Sequence, residues 1–308
     1  MQNGFCIKAH IIKIDKIKEH RRLVIIMGNH FNTPAEVVDA NIASGKVKAE
    51  LPLGKMILLG ILAGIFIAIG GEASSLASHD VANVGLARTI TGAIFPVGLM
   101  MIVLVGGELF TGNTMIVMAV LDKKTTWLRY GRNLLVVFFS NLVGSLLITM
   151  LTFFSGQWNY TSGALGAYTI KIALGKVNLD FGTAFSSGIL CNILVCVAVL
   201  MAIAAKDIAG KIWAIFFPIF AFVISGFEHC VANMYYIPAG MIAMTNEKYV
   251  AKAQELYGIT AEQLEKLSVG GMVQNMIPVT LGNIVGGAVL VGVLLFVINK
   301  KCGKKKEA

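Results

Sequence analysis

One histidine of this chain stands among residues that a lipid bilayer would reject. His229 lies in Ser225-Gly226-Phe227-Glu228-His229-Cys230, between long apolar flanks. A second polar interruption, Gly106-Gly107-Glu108-Leu109-Phe110-Thr111-Gly112-Asn113, breaks another apolar stretch. Charge inside a bilayer is costly and usually functional, and non-helical backbone survives there only where protein buries it or it lines a watery cavity. An imidazole titrates near neutral pH and donates hydrogen bonds to anions. A half-helix starting after each break offers free N–H groups and a positive dipole end. Thr111 and Asn113 would stand at one such end, and Val231 to Asn233 at the other. With no Lys or Arg at depth in the sequence pattern, two positive ends facing each other favour a small anion or polar neutral solute over a cation. A Glu228 facing an anion path would repel its cargo, so it is expected to bind backbone N–H groups of the broken helix or to hold His229. Glu108 invites the same reading.

Other chemistries fit less well. His10, His20, His30 and His79 fall in arms or loops, and one histidine at depth is too few for a metal site. Cys191 and Cys196 are five residues apart, on different faces of a helix, which argues against a metal or redox pair. No cofactor is implied, and the nucleophile or metal constellation of an enzyme is missing.

The elements that must carry these residues are membrane spans. The 308 residues are 56% hydrophobic and 14% charged, with mean hydropathy +0.76, against about 25% charged for a soluble domain. Six spans are expected, at about 55–76, 88–121, 131–154, 181–205, 211–244 and 270–299. The second and fifth exceed the ~20 residues one helix needs to cross, and each holds a break, so each reads as two half-helices. Before them, Thr33-Pro34-Ala35-Glu36 has the form of a capping box with proline at the first helical position. The helix it opens, with Val37, Val38 and Ile42, is expected at the cytoplasmic membrane surface. The organisation is thus a cytoplasmic arm and amphipathic helix (1–54), one transmembrane channel domain (55–299) and a basic tail (300–308). Residues 1–26 are basic and lack the apolar core of a secretory signal, and a translation start at Met27 would remove them. Net charge is +9. The bases crowd the N-terminal arm, the loops after spans two and four, and the tail, so both termini are expected inside. That placement accounts for them without nucleic acid.

The halves repeat. Asn133 and Asn141-Leu-Val-Gly144 in span three match Asn275 and Asn283-Ile-Val-Gly286 in span six, and Gly60-Ile-Leu in span one matches Gly188-Ile-Leu in span four. Three spans per half, at about 55–155 and 180–299, make an inverted repeat, whose site belongs at the midplane on the broken helices. Gly144 and Gly286 read as close-packing positions.

The stretches GGELFTGN (106–113), SGFEHCVANMYYIPAG (225–240) and NMIPVTLGNIVGG (275–287) resemble the formate/nitrite transporter family, and the likeness runs from about Asn32 to Asn299. It implies an all-α polytopic protomer of six transmembrane helices, an aquaporin-like inverted repeat with broken second and fifth helices. It also implies a homopentamer in a bacterial cytoplasmic membrane, with one pore per protomer for a small monovalent anion: formate, nitrite or hydrosulfide. By motif position Phe95 and Phe222 match the outer constriction, Leu99 and Phe110 the inner one, His229 the central histidine and Thr111 the threonine of the first break. Asn192 and Asn233 match asparagines near the pore. Formate channels usually carry Ser after Leu-Phe-Thr, where this chain has Gly112. That loss of a hydroxyl leans toward the hydrosulfide branch. An anion would shed water at an apolar ring and meet His229, which donates a hydrogen bond or a proton; protonation would remove the charge that makes a dry ring costly. The alternative is an aquaporin-like channel for small neutral solutes, although the paired Asn-Pro-Ala motifs of such channels are absent.

Overall fold

The computed structural model describes residues 31–302. The arm at 1–26, Met27 and the last lysines of the tail lie outside the described residues. Helix α1 spans Pro34–Ala49, α2 Leu53–Ser78, α3 Val84–Val105, α4 Phe110–Leu121, α5 Trp127–Phe154, α6 Ala164–Val177, α7 Phe181–Ala204, α8 Ile208–Ile224, α9 Cys230–Ala243, α10 Glu247–Tyr257, α11 Ala261–Glu265 and α12 Val269–Lys301. Five of them (α2, α3, α5, α7, α12) are long and apolar enough to cross a membrane, and α4, α8 and α9 are shorter apolar helices. The six spans are therefore α2, α3 with α4, α5, α7, α8 with α9, and α12. Pro96 adds a bend within α3 that the span pattern did not disclose.

The capping box forms: the Glu36 carboxylate accepts from Thr33 N–H at 2.7 Å. Helix α1 packs on the rest of the protein. Its apolar face is covered by protein, with Val38 and Ile42 buried beside Met115, Met118 and Leu200, and Asn41 Nδ2 donates to the Met115 carbonyl at 3.3 Å. That apolar face is covered by α4 and α7. The linker between the repeats also contains a helix that the hydropathy pattern passed over. α6 buries Leu165, Ile170 and Leu174 against Tyr235 and Ala239 of α9.

With α1 and α6 included, each repeat is a packed helix, a span, a broken span and a span. The repetition extends to single atoms. Asn141 Oδ1 accepts from Phe110 N–H at 3.0 Å and its Nδ2 donates to the carbonyls of Gly60 and Glu108 at 2.8 and 2.9 Å. Asn283 Oδ1 accepts from Cys230 N–H at 2.9 Å and its Nδ2 donates to the carbonyls of Gly188 and Glu228 at 2.7 and 3.0 Å. Gly144 sits against the Ile61 carbonyl and Gly286 against the Ile189 carbonyl, where no Cβ fits. This is the close approach that small residues permit between membrane helices.

Candidate functional site

Each break begins at a glycine in a conformation that other residues avoid, Gly106 (φ 113°) and Gly226 (φ 71°). The extended backbone that follows carries Glu108 and Glu228 into the protein, where both are buried. Neither carboxylate does what the sequence suggested. Glu108 pairs with Lys48 Nζ at 2.9 Å and accepts from Asn113 Nδ2 at 2.7 Å. Glu228 pairs with Lys176 Nζ at 2.5 Å and accepts from Asn233 Nδ2 at 2.7 Å. Asn113 and Asn233 each donate onward, to Asn133 and Asn275, both at 2.8 Å. Asn133 and Asn275 close the circuit on the carbonyls of Lys48 and Lys176 at 3.0 and 2.9 Å.

Two cations therefore do stand at the breaks, delivered by α1 and α6 rather than by the spans. Their paired carboxylates cancel much of their charge, which is what burial demands of an ion. Sequence reasoning missed them, yet a signal existed. Lys48 precedes Gly60 by twelve residues, and Lys176 precedes Gly188 by twelve. Extending the repeat back beyond the spans would have matched them.

The half-helix ends are also less open than expected. Phe110 N–H and Cys230 N–H are taken by Asn141 and Asn283. Ala232 N–H donates to His229 Nδ1 at 3.0 Å, so His229 caps its own helix. That bond makes Nδ1 the acceptor, and in a neutral imidazole the proton then sits on Nε2. Nε2 lies 3.0 Å from Thr111 Oγ1. Thr111 and His229, from opposite repeats, thus meet, both buried.

Two cavities lie near this pair, one lined by His229 and the other by Gly112, the residue after Thr111. One, of about 230 Å³, is lined by Phe95, Phe222, His229, Asn233, Lys176 and Arg88 among others. The other, of about 360 Å³, is lined by Leu99, Glu108, Leu109, Gly112, Asn113 and Lys48 among others. They share no lining residue. At the His229 side the rings of Phe95 and Phe222 meet edge to face with centroids 5.6 Å apart, and Phe222 lies 6.0 Å from the imidazole. Phe110 lines neither cavity; it is buried with its ring 5.2 Å from that of Phe138. Asn192 also lines neither. Its Nδ2 donates to the carbonyls of Thr111 and Asn283 at 3.2 and 2.6 Å, tying the first break to α12. Asn233 lines the His229 cavity, and its buried Oδ1 has no partner among the described residues, whereas Asn113 Oδ1 accepts from Lys48 at 3.0 Å.

Comparison with known proteins adds the following. A family model described as formate/nitrite transporter matches residues 35–297. A probable formate transporter of Methanothermobacter thermautotrophicus is 41% identical over 87% of this chain and 97% of its own. The formate channel FocA of Escherichia coli K12 is 35% identical over 86% of this chain and 93% of its own. Among solved structures, a pentameric formate channel with formate bound superposes with TM-score 0.70 at 35% identity, covering 80% of this chain and 97% of that one. An FNT family ion channel superposes with TM-score 0.71 at 26% identity, covering 85% and 98%.

Proposed function

The chain belongs to the formate/nitrite transporter family, a family of membrane channels and transporters rather than enzymes, and on that premise we propose that each protomer is a pore for a small monovalent anion with His229 and Thr111 as its central donors. The observation that carries this reading is the 3.0 Å contact between His229 Nε2 and Thr111 Oγ1, beside one cavity that His229 lines and another that Gly112, the residue after Thr111, lines. An anion entering from the His229 side leaves most of its water at the Phe95–Phe222 ring. It then meets the hydroxyl of Thr111. The oxygen of that hydroxyl is occupied by the Nε2–H of the imidazole, so its own hydrogen is directed to the anion. The anion is held by a donor relay rather than by a formal charge. Because Nδ1 is occupied by Ala232 N–H, forming the imidazolium requires His229 to leave its helix. The resting geometry therefore supports hydrogen bonding to the anion more directly than handing it a proton.

Leu99 and Phe110 form the second narrowing, beyond which the Glu108 cavity opens. Asn192 holds the Thr111 carbonyl, and Asn233 offers an acceptor to a protonated form of the cargo. The Glu–Lys pairs hold the breaks open. The relatives named formate transporter and formate channel support formate as the cargo. A second reading, hydrosulfide, rests on Gly112, which leaves no hydroxyl at the position after Thr111. The likeness to a pentameric channel supports a homopentamer. The basic loops support a cytoplasmic (inner) membrane setting with both termini inside and the His229 cavity facing outward. Swelling of liposomes carrying the purified protein, in formate, nitrite, hydrosulfide and glycerol, tests the reading. Rapid swelling in the anions and none in glycerol is expected; the reverse would make it a channel for neutral solutes.

A further inference from the structure

The His229 cavity opens outward into a larger one of about 830 Å³. Arg88 lines both cavities, so its guanidinium stands at the lip where they join. On α3, Arg88, Thr91, Phe95 and Leu99 follow at helical spacing, which puts them on one face. Arg88, Thr91 and Phe95 line the His229 side, and Leu99 the far side. The face that forms the constrictions thus ends in an arginine two turns above Phe95.

The other cations of this mouth are engaged. Lys176 pairs with Glu228, and Lys171 lies 4.3 Å from the centre of the Tyr257 ring. Arg88 has no acidic partner among the described residues; its Nη1 donates to the Ile224 carbonyl at 3.0 Å, at the end of α8. That bond fixes the guanidinium beside Gly226 and leaves most of its five N–H donors to the cavity. The pseudo-symmetric position at the opposite mouth, twenty residues before Glu228 as Arg88 is twenty before Glu108, is Ile208. The repeat therefore does not require a cation there.

We propose that Arg88 is an anion-docking site at the His229 mouth that captures a planar oxyanion, such as a small carboxylate, through two parallel N–H···O bonds before it enters the constriction. The assignment deepens the pore reading and rests on it. A guanidinium fork matches a carboxylate in plane, whereas an ammonium offers only a point charge. A single-atom anion such as hydrosulfide gains the charge but not the fork. Docking at the lip is also screened by salt, since the residue is exposed.

The test is flux of formate and of hydrosulfide through wild type, Arg88→Lys and Arg88→Ala in liposomes at low ionic strength, started from each side in turn, with pentamer integrity followed by size-exclusion chromatography. For formate entering from the Arg88 side, the half-saturating concentration is expected to rise roughly tenfold in Arg88→Ala, the scale of one hydrogen bond to a charged group, and nearly as far in Arg88→Lys. For hydrosulfide, Arg88→Lys is expected to match wild type. An unchanged formate curve in an intact Arg88→Ala pentamer overturns the docking site while wild-type flux upholds the pore. Equal behaviour of the two anions in Arg88→Lys overturns the planar-ligand assignment. A wild type that passes neither anion overturns the pore and the docking site together.

Discussion

At the scale of residues, the contact between Thr111 and His229 divides the chemistry in a way that substitutions can read. Thr111→Val keeps the shape but removes the hydroxyl, and with it the relay from Nε2. Flux of formate is expected to fall at least tenfold, the effect of about 1.4 kcal/mol, while Thr111→Ser retains most of it. Loss in both variants alike would show that shape, not the hydroxyl, matters. His229→Phe removes the relay and the cap on Ala232 together, and flux is expected to collapse with fold and assembly intact. Gly112 gives a second reading at this scale. A Cβ built there meets only Val199 Cγ2 at 3.9 Å, so Gly112→Ser fits without displacement and adds a donor on the Glu108 side. It is expected to raise the ratio of formate to hydrosulfide flux, measured in the same liposomes. A ratio that stays fixed would detach substrate preference from this position.

At the scale of elements, the ends of the broken helices depend on two helices that do not span. Lys176→Met leaves the Glu228 carboxylate buried without its cation, and breaking a buried pair from one side costs about 3–5 kcal/mol. Lys176 retains some contact with water, its side chain being 19% exposed, so the lower end applies. Lys176→Met combined with Glu228→Gln removes the stranded charge and is expected to recover most of the loss in thermal stability of the protein. Failure of the double variant to recover would mean that the lysine acts by packing α6 rather than by neutralising Glu228. The same elements mark how far the sequence could be read. Spans, breaks and the repeat were legible because lipid enforces apolar length and the asparagines recur at fixed spacing. The roles of α1 and α6 were not legible, because their polarity resembles that of surface helices and only their partners in space reveal what their faces cover. His229 and Thr111 were legible from the polar breaks and Phe95 and Phe222 from motif likeness, and the structure sets the four in a run of neighbours, Phe95 on Phe222, Phe222 on His229 and His229 on Thr111. Asn192 was grouped with them but works behind the wall, on backbone carbonyls, which no spacing rule distinguishes from lining the path.

At the scale of the whole molecule, the two cavities are separate, with buried side chains between their linings. Phe95, Leu99, Phe110, Thr111 and His229 are all nearly inaccessible, and no lining residue is common to both sides. Conduction therefore requires either a displacement of a few side chains or an anion that passes through a gap too dry for a hydrated ion. An apolar constriction discriminates by size and by the water it makes an ion surrender. Leu99 is the residue through which this can be tested, since it lines the Glu108 cavity beside the closed segment and lies one turn from Phe95 on the same face of α3. Leu99→Ala removes a buried side chain whose loss in a soluble core would cost about 2–5 kcal/mol; here the vacated volume joins a cavity that already exists, so the cost should fall toward the lower bound. Larger monocarboxylates such as acetate and lactate are expected to gain flux more than formate does, because formate already fits. Phe110→Ala should act in the same direction but with a greater loss of stability, since Phe110 packs on Phe138 and supports α5 as well as the narrowing. If acetate flux through Leu99→Ala stays at the wild-type level while formate flux persists, the selecting constriction lies at the Phe95–Phe222 ring alone, and Phe222→Ala is then the variant that admits the larger acids.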